Sequence, residues 1–209
     1  MIKQDAYQAE PWALREMALR LDLLAQSESV FALSNGHLGL RGNLDEGEPA
    51  GLPGTYLAGF YETRPLSHGE AGYGYPEAGQ TVINVTNGKL LRLLVNDELL
   101  DMEYGRLHSH ERTLDLRRGV LERRLEWESP AGTRAKVSST RLVSFTHRAV
   151  AAIHYEVEVE RAARIAIQSE LLANEDTGMA STDPRAAAAL SAPLVRQSSA
   201  GQGMRAMLS

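Results

Sequence analysis

The sequence predicts an all-β chain in which two antiparallel sheets face each other as a sandwich. Three observations carry this expectation. From Gln80 to Ala173, apolar and polar residues alternate with a period close to two, the pattern of strands packed on one side and wet on the other. The alternating runs are separated by short turn signals, Asn87-Gly88, Asn96-Asp97 and Ser129-Pro130-Ala131-Gly132, and strands joined by short turns pair antiparallel. Upstream, the stretch Glu28–Tyr61 sets Gly36, Gly39 and Gly42 among short apolar runs. Glycine inside a strand pattern points to close approach by a ligand or another segment.

Taken in order, Trp12–Ala25 carries Leu14, Met17, Ala18 and Leu21 at helical spacing behind Pro11, which suits a first helical turn. Asn35-Gly36 predicts a tight turn, because both residues tolerate positive φ, and Pro53-Gly54 predicts a second. Residues 62–79 form a long loop in which Tyr73 and Tyr75 interleave with Gly72 and Gly74. They are placed either to stack on a sugar or to close the loop onto the sandwich. Thr81–Val85 and Leu90–Val95 flank Asn87-Gly88 as a hairpin. In Val120–Glu128, Leu121, Leu125 and Trp127 share a face with Arg123, and Glu122, Arg124, Glu126 and Glu128 take the other. Val137, Val143 and Phe145 alternate in the next strand. Ile153, Tyr155, Val157 and Val159 follow facing inward, and Ile165 and Ile167 open one more strand. Residues 1–175 therefore form the predicted sandwich domain. Residues 176–209, with an alanine run, prolines and Gly/Ser pairs, are expected as a loop or the start of remaining sandwich or linker.

The composition is that of a globular domain, with 43% hydrophobic and 23% charged residues in 209, enough for a sizeable core. The net charge of −5 is spread without a basic block, which argues against nucleic acid as a partner. The absence of cysteine excludes disulfides and thiolate metal sites and fits a reducing, cytoplasmic location. The N-terminus MIKQDAYQAEP has no apolar h-region, and no run is long and apolar enough for a bilayer.

The run Glu28-Ser29-Val30-Phe31-Ala32-Leu33-Ser34-Asn35-Gly36-His37-Leu38-Gly39-Leu40-Arg41-Gly42, then Pro53-Gly54-Thr55-Tyr56, closely resembles the N-terminal domain of glycoside hydrolase family 65. The resemblance continues through Gln80–Val85 and Ser138–His147 and covers most of residues 10–175, and it implies an extended strand over Trp12–Ala25, the reading preferred there to the helical one. The family contains maltose, trehalose and kojibiose phosphorylases and related hydrolases. The resemblance implies a galactose-mutarotase-like super-sandwich that precedes an (α/α)6 barrel, which is absent here. It implies that the intact protein cleaves an α-linked glucose disaccharide with water or inorganic phosphate as acceptor and without a cofactor. It places the acid and the phosphate site in the missing C-terminal catalytic barrel, so no residue here is assigned as catalytic. The role expected for this chain is to buttress the barrel, shape one rim of its site and offer a homodimer contact. The rival expectation is a stand-alone carbohydrate-binding module. A stand-alone epimerase on the same sandwich would need a His and carboxylate pair that the sequence does not place.

Few constellations carry chemistry. Asp45, Glu46 and Glu48 lie together, but in a Gly/Pro loop, and are expected to be solvated rather than a catalytic pair. His108 and His110 would share one face of an extended segment, yet no third ligand is placed beside them, so no metal is expected. Asn84-Val85-Thr86 matches a glycosylation acceptor but is more simply read as strand. His37 and Arg41 flank Gly39 on one face of an extended segment. With Asn35, Tyr73 and Tyr75 they are the candidate substrate-binding or inter-domain residues. Arg41 is expected to bridge to a carboxylate of the barrel, since a guanidinium fork suits that contact.

Overall fold

The computed structural model describes residues 4–65, 74, 76–175, 194, 199–202 and 205–208. In chain order these form β1 (Gln8–Glu10), β2 (Ala13–Glu16), α1 (Leu24–Val30), β3 (Leu33–Ser34), β4 (Leu38–Leu40), β5 (Thr55–Leu57), β6 (Tyr61–Pro65), β7 (Ala78–Val82), β8 (Asn87–Val95), β9 (Glu98–Leu99), β10 (Arg106–Asp115), β11 (Val120–Glu128), β12 (Arg134–Val143), β13 (Ala151–Val159), β14 (Ile165–Leu172), β15 (Ser199–Gln202) and β16 (Arg205–Leu208). The described residues are all-β apart from the roughly two turns of α1 and short 3-10 turns. Every strand pair among the described residues is antiparallel.

One layer is a six-stranded sheet in the order β1-β2-β10-β11-β12-β13. The facing layer is divided into two three-stranded sheets, β3-β4-β5 and β14-β8-β9. Two apolar clusters join the layers. Leu93, Val95, Leu100 and Leu44 pack on Leu125, Trp127 and Val137, and Phe31, Leu33 and Leu40 pack on Leu121 and Val143. The period-two alternation places these residues, because successive side chains of a strand point to opposite faces. The Asn96-Asp97 hairpin forms as expected, with φ of 50° and 66°, and Ser129–Gly132 turns the chain with Gly132 at φ 81°.

Three local expectations are corrected. Trp12–Ala25 is a strand only over Ala13–Glu16, and Leu21–Leu23 and Leu24–Val30 are helical. Asn87-Gly88 is no turn. It opens β8, which pairs with β14 and β9, while β7 pairs with β6. Asn87 uses its side chain on the Lys89 ammonium and on Glu175 instead of on a turn. Phe145 lies beyond β12 and is exposed, since Ser144 Oγ accepts the His147 N–H and starts a turn. Within 176–209, expected as a loop or the start of remaining sandwich or linker, β15 and β16 form an antiparallel hairpin. No described helix is long and apolar enough to cross a membrane.

Candidate functional site

The family-like segment forms an open groove of about 410 Å3 over β3, β4 and β5, lined by Ser34, His37, Gly39, Arg41, Tyr56 and Tyr61. Its head is the Asn35-Gly36 turn. Asn35 Oδ1 accepts the N–H groups of His37 and Leu38, each at 2.9 Å, and Gly36 takes φ +81°. The Asn35 amide donates to the carbonyls of Ser144 (2.6 Å) and Arg148 (2.9 Å). Asn35 therefore fastens the groove to the β12–β13 turn. Gly39 lies in the groove floor, where an added Cβ would meet only ordinary contacts, Ser34 Oγ at 3.6 Å being the nearest. Packing within the described chain does not demand a glycine there. Gly42 differs, because a Cβ would fall 2.7 Å from the Phe31 Cβ.

Arg41 is anchored inside the chain. Its Nη2 donates to Ser29 Oγ at 2.5 Å and to the Ala25 carbonyl at 3.2 Å, so it staples β4 to α1. His37 lines the groove beside it. Tyr73 and Tyr75 lie outside the described residues.

Beneath the groove, three arginines from adjacent strands of the large sheet hold the 41–55 loop. Arg112 of β10 donates to Glu16 (2.7 Å) and to the Gly42 carbonyl (2.9 Å). Arg123 of β11 donates to Glu46 (2.7 Å) and Asp45 (3.4 Å). Arg141 of β12 donates to Asp45 and to the carbonyls of Arg41 and Asn43. Ser139 Oγ donates to Asp45 at 2.6 Å and Tyr155 Oη to Glu46 at 2.8 Å. From the other side, Glu28 accepts the N–H groups of Gly51 and Leu52, and Lys89 Nζ donates to Gly54 O, Thr55 Oγ1 and Asn87 Oδ1.

The expectation that Asp45 and Glu46 are solvated is thus overturned, both being 2% exposed, while Glu48 is exposed. Burial opposes the charge of Asp45, but Arg141 and Arg123 outweigh it and hold its pKa below the ordinary value. Burial, then the charges of Arg123 and Arg112, push His110 down to about 2. The ring is accordingly neutral, its Nε2 accepting from Arg123 Nε at 3.1 Å. Burial pushes the Tyr155 phenol up, with Glu46 adding to the shift. Burial and Arg141 lower Lys89 to about 8.

The two histidines do not converge. A bulge between Leu107 and Ser109 separates them, and His108 pairs with Glu128 at 2.7 Å. Among the described residues no cluster of three or more His, Asp or Glu is arranged for a metal ion. Asn84 is engaged internally, accepting the Thr55 N–H at 2.8 Å. The network escaped the reading of the acidic loop by itself, but a signal existed: an arginine on the inward face of β11 requires a buried anion.

A family sequence model described as "Glycosyl hydrolase family 65, N-terminal domain" matches residues 14–209. An "uncharacterized glycosyl hydrolase" of Mycobacterium tuberculosis is 66% identical over 195 residues, 93% of this chain and 25% of that protein. The alpha,alpha-trehalose phosphorylase of Thermoanaerobacter brockii is 36% identical over 160 residues, 75% of this chain and 21% of the relative. A solved structure described as "Putative kojibiose phosphorylase from human microbiome" superposes with a TM-score of 0.74 at 27% identity, over 81% of this chain and 23% of that one. The chain spans about a quarter of the length of these relatives.

Proposed function

The chain belongs to glycosyl hydrolase family 65, matching its N-terminal domain, and from that membership we propose that it is the non-catalytic sandwich of an enzyme that cleaves an α-linked glucose disaccharide. The observation that carries the non-catalytic part is the state of the acids. Glycosidic cleavage needs a carboxyl group poised to protonate the leaving oxygen, usually one whose pKa is raised by burial. Each buried carboxylate described here, Glu16, Glu28, Asp45 and Glu46, already accepts from arginine, hydroxyl or backbone N–H donors. Each is thus spent on contacts inside the domain, and at Asp45, where burial opposes the charge, Arg141 and Arg123 hold the pKa below its ordinary value. The chain's chemistry is that of a clamp that fixes the groove, and the reacting groups belong to the remainder of the enzyme.

Trehalose is the first disaccharide to test, because the relative with 36% identity is named for it, with maltose and kojibiose beside it. The acceptor is inorganic phosphate or water. The experiment incubates the longer polypeptide with each disaccharide, with and without phosphate, and separates glucose from glucose 1-phosphate. Phosphate-dependent glucose 1-phosphate indicates phosphorolysis, and free glucose alone indicates hydrolysis. No cleavage of any of the three under either condition overturns the substrate class. The binding-module reading rests on Tyr56 and Tyr61 in the groove. Saturable binding of glucose or trehalose by this chain alone, lost in Tyr61→Ala, would favour it over the scaffold.

A further inference from the structure

The groove over β3, β4 and β5 carries a charge pattern that a scaffold does not need. Its floor is one row across the small sheet, in which Ser34 pairs with Gly39 and Gly39 with Tyr56. Residues directly opposite on neighbouring strands share a face. His37 and Arg41 join that face, two residues either side of Gly39. Pairing with the next strand continues to both, through the Ala58 N–H to the His37 carbonyl (2.8 Å) and the Arg41 N–H to the Gly54 carbonyl (3.0 Å). Gly39 therefore leaves a gap one side chain wide between Ser34 and Tyr56, where a Cβ would stand 3.6 Å from Ser34 Oγ and 3.9 Å from the Tyr56 Cβ. The Arg41 stem and the Tyr56 ring both lie over Gly54, since a Cβ there would overlap the two of them. A cation and an aromatic ring thus stand side by side at the edge of the gap.

The polar groups around the gap are mostly donors. Arg41 commits only Nη2, to Ser29 and Ala25, and its other two guanidinium nitrogens meet no acceptor among the described residues. None of the described residues lining the groove is Asp or Glu. The carboxylates adjacent in sequence are turned away. Glu28 accepts the N–H groups of Gly51 and Leu52, and Glu62 follows Tyr61 on β6 and so takes the opposite face. In a chain of net charge −5, this groove holds a cation without a counter-ion. Tyr56 and Tyr61, the latter 51% exposed, supply ring faces with polar tips. A pyranose has an apolar C–H face for such rings and hydroxyls for the donors at the rim, and a guanidinium suits a phosphate on it.

We propose that this groove is a binding site for a hexose monophosphate, its phosphate on Arg41 beside His37 and its ring over Gly39 between Tyr56 and Tyr61. The volume of about 410 Å3 falls within the roughly 300–1,000 Å3 of small-molecule sites. The site goes beyond the scaffold reading, because it binds an anionic sugar in this domain and takes no part in cleavage.

The test is isothermal titration calorimetry of this chain with glucose 6-phosphate, glucose and inorganic phosphate, with a melting temperature recorded for every variant. Glucose 6-phosphate should bind saturably, one per chain, tenfold or more tighter than glucose or phosphate. Its binding should weaken several-fold as salt rises from about 0.01 to about 0.15 M, where the screening length shortens from about 30 to about 8 Å. Arg41→Gln should abolish binding. Because Arg41 also staples β4 to α1, His37→Gln and Gly39→Ala keep the test independent of folding. Each should weaken binding several-fold in a protein that still melts normally, the first by removing a polar group and the second by filling the gap. No saturation up to millimolar concentration overturns the site. Glucose binding as tight as glucose 6-phosphate overturns the anionic ligand, and phosphate binding as tight overturns the sugar. Binding unchanged in all three variants places the ligand elsewhere and also overturns the proposal. The scaffold reading survives each of these results, since it is decided by product analysis, and its own failure leaves the binding result standing.

Discussion

Replacing Asp45 with asparagine tests the buried clamp most sharply. The side chain keeps its size and loses its charge. In the folded chain Asp45 is the carboxylate of Arg141, accepting from its Nη2, and it also accepts from Ser139 and Arg123. Arg123 retains Glu46, but Arg141 is left with the carbonyls of Arg41 and Asn43 alone. Arg141 is 2% exposed, so its charge then stands in the interior without a counter-ion. Removing one member of a buried ion pair costs about 3–5 kcal/mol. For a chain of this length that lowers Tm by about 6–20 °C, at about 2–4 °C per kcal/mol. The assay is thermal unfolding followed by circular dichroism, with Glu48→Gln as the control from the same loop. Glu48 is exposed, its contact with Arg92 being 4.0 Å long, and its loss should change stability by less than about 0.5 kcal/mol. Replacing both partners with apolar residues, Asp45→Leu with Arg141→Met, should cost less than Asp45→Asn alone, because no charge is then stranded. A Tm shift for Asp45→Asn as small as that of Glu48→Gln would refute the clamp.

Three further outcomes are expected. Stability should fall as pH drops from about 6.5 toward 2, because unfolded His110 takes up a proton that the folded ring refuses until about 2; His110→Gln should flatten that slope in urea titrations run at several pH values. Asp45, with its folded pKa depressed, adds to the same loss below its ordinary value, where the unfolded carboxyl protonates first. Arg41→Ala should destabilise this chain itself by about 1–3 kcal/mol, since Ala25 O and Ser29 Oγ lose their donor; an unchanged melt would show that Arg41 does not staple β4 to α1. Gly42→Ala should cost about 1–3 kcal/mol, because its Cβ would overlap Phe31, while Gly39→Ala should leave the melting temperature within about 2 °C. Equal effects at the two glycines would contradict the packing described for them.

The sandwich was legible because its long strands repeat one physical rule. Leu121, Arg123, Leu125 and Trp127 alternate with charged residues, and burial of one face follows from the pleat. The Asn87-Gly88 hairpin failed because a two-residue motif carries no information about what its side chain can reach. Asn87 is held at the start of β8 by Lys89 and Glu175, partners two and eighty-eight residues away. The acidic loop failed for a related reason. Asp45 and Glu46 looked solvated because their sequence neighbours are Gly, Pro and charged residues, whereas their partners Arg123 and Arg141 come from strands far along the chain. Strand parity does place Ser139, Arg141 and Arg123 inward with Val137 and Leu125, and inward arginines need carboxylates. The groove is legible at Asn35-Gly36, whose turn chemistry is local. The partners of Arg41 are not, because only the turns of α1 bring Ala25 and Ser29 together beside it.

In the proposed scaffold role this chain holds and does not react. Its most direct test is release of glucose or glucose 1-phosphate from trehalose, maltose and kojibiose by this chain alone at high protein concentration, with phosphate present. No turnover above background is expected. Turnover that is abolished by Asp45→Asn or Glu46→Gln in a protein that still folds would contradict it, and would make the buried carboxylates reacting groups instead of a clamp.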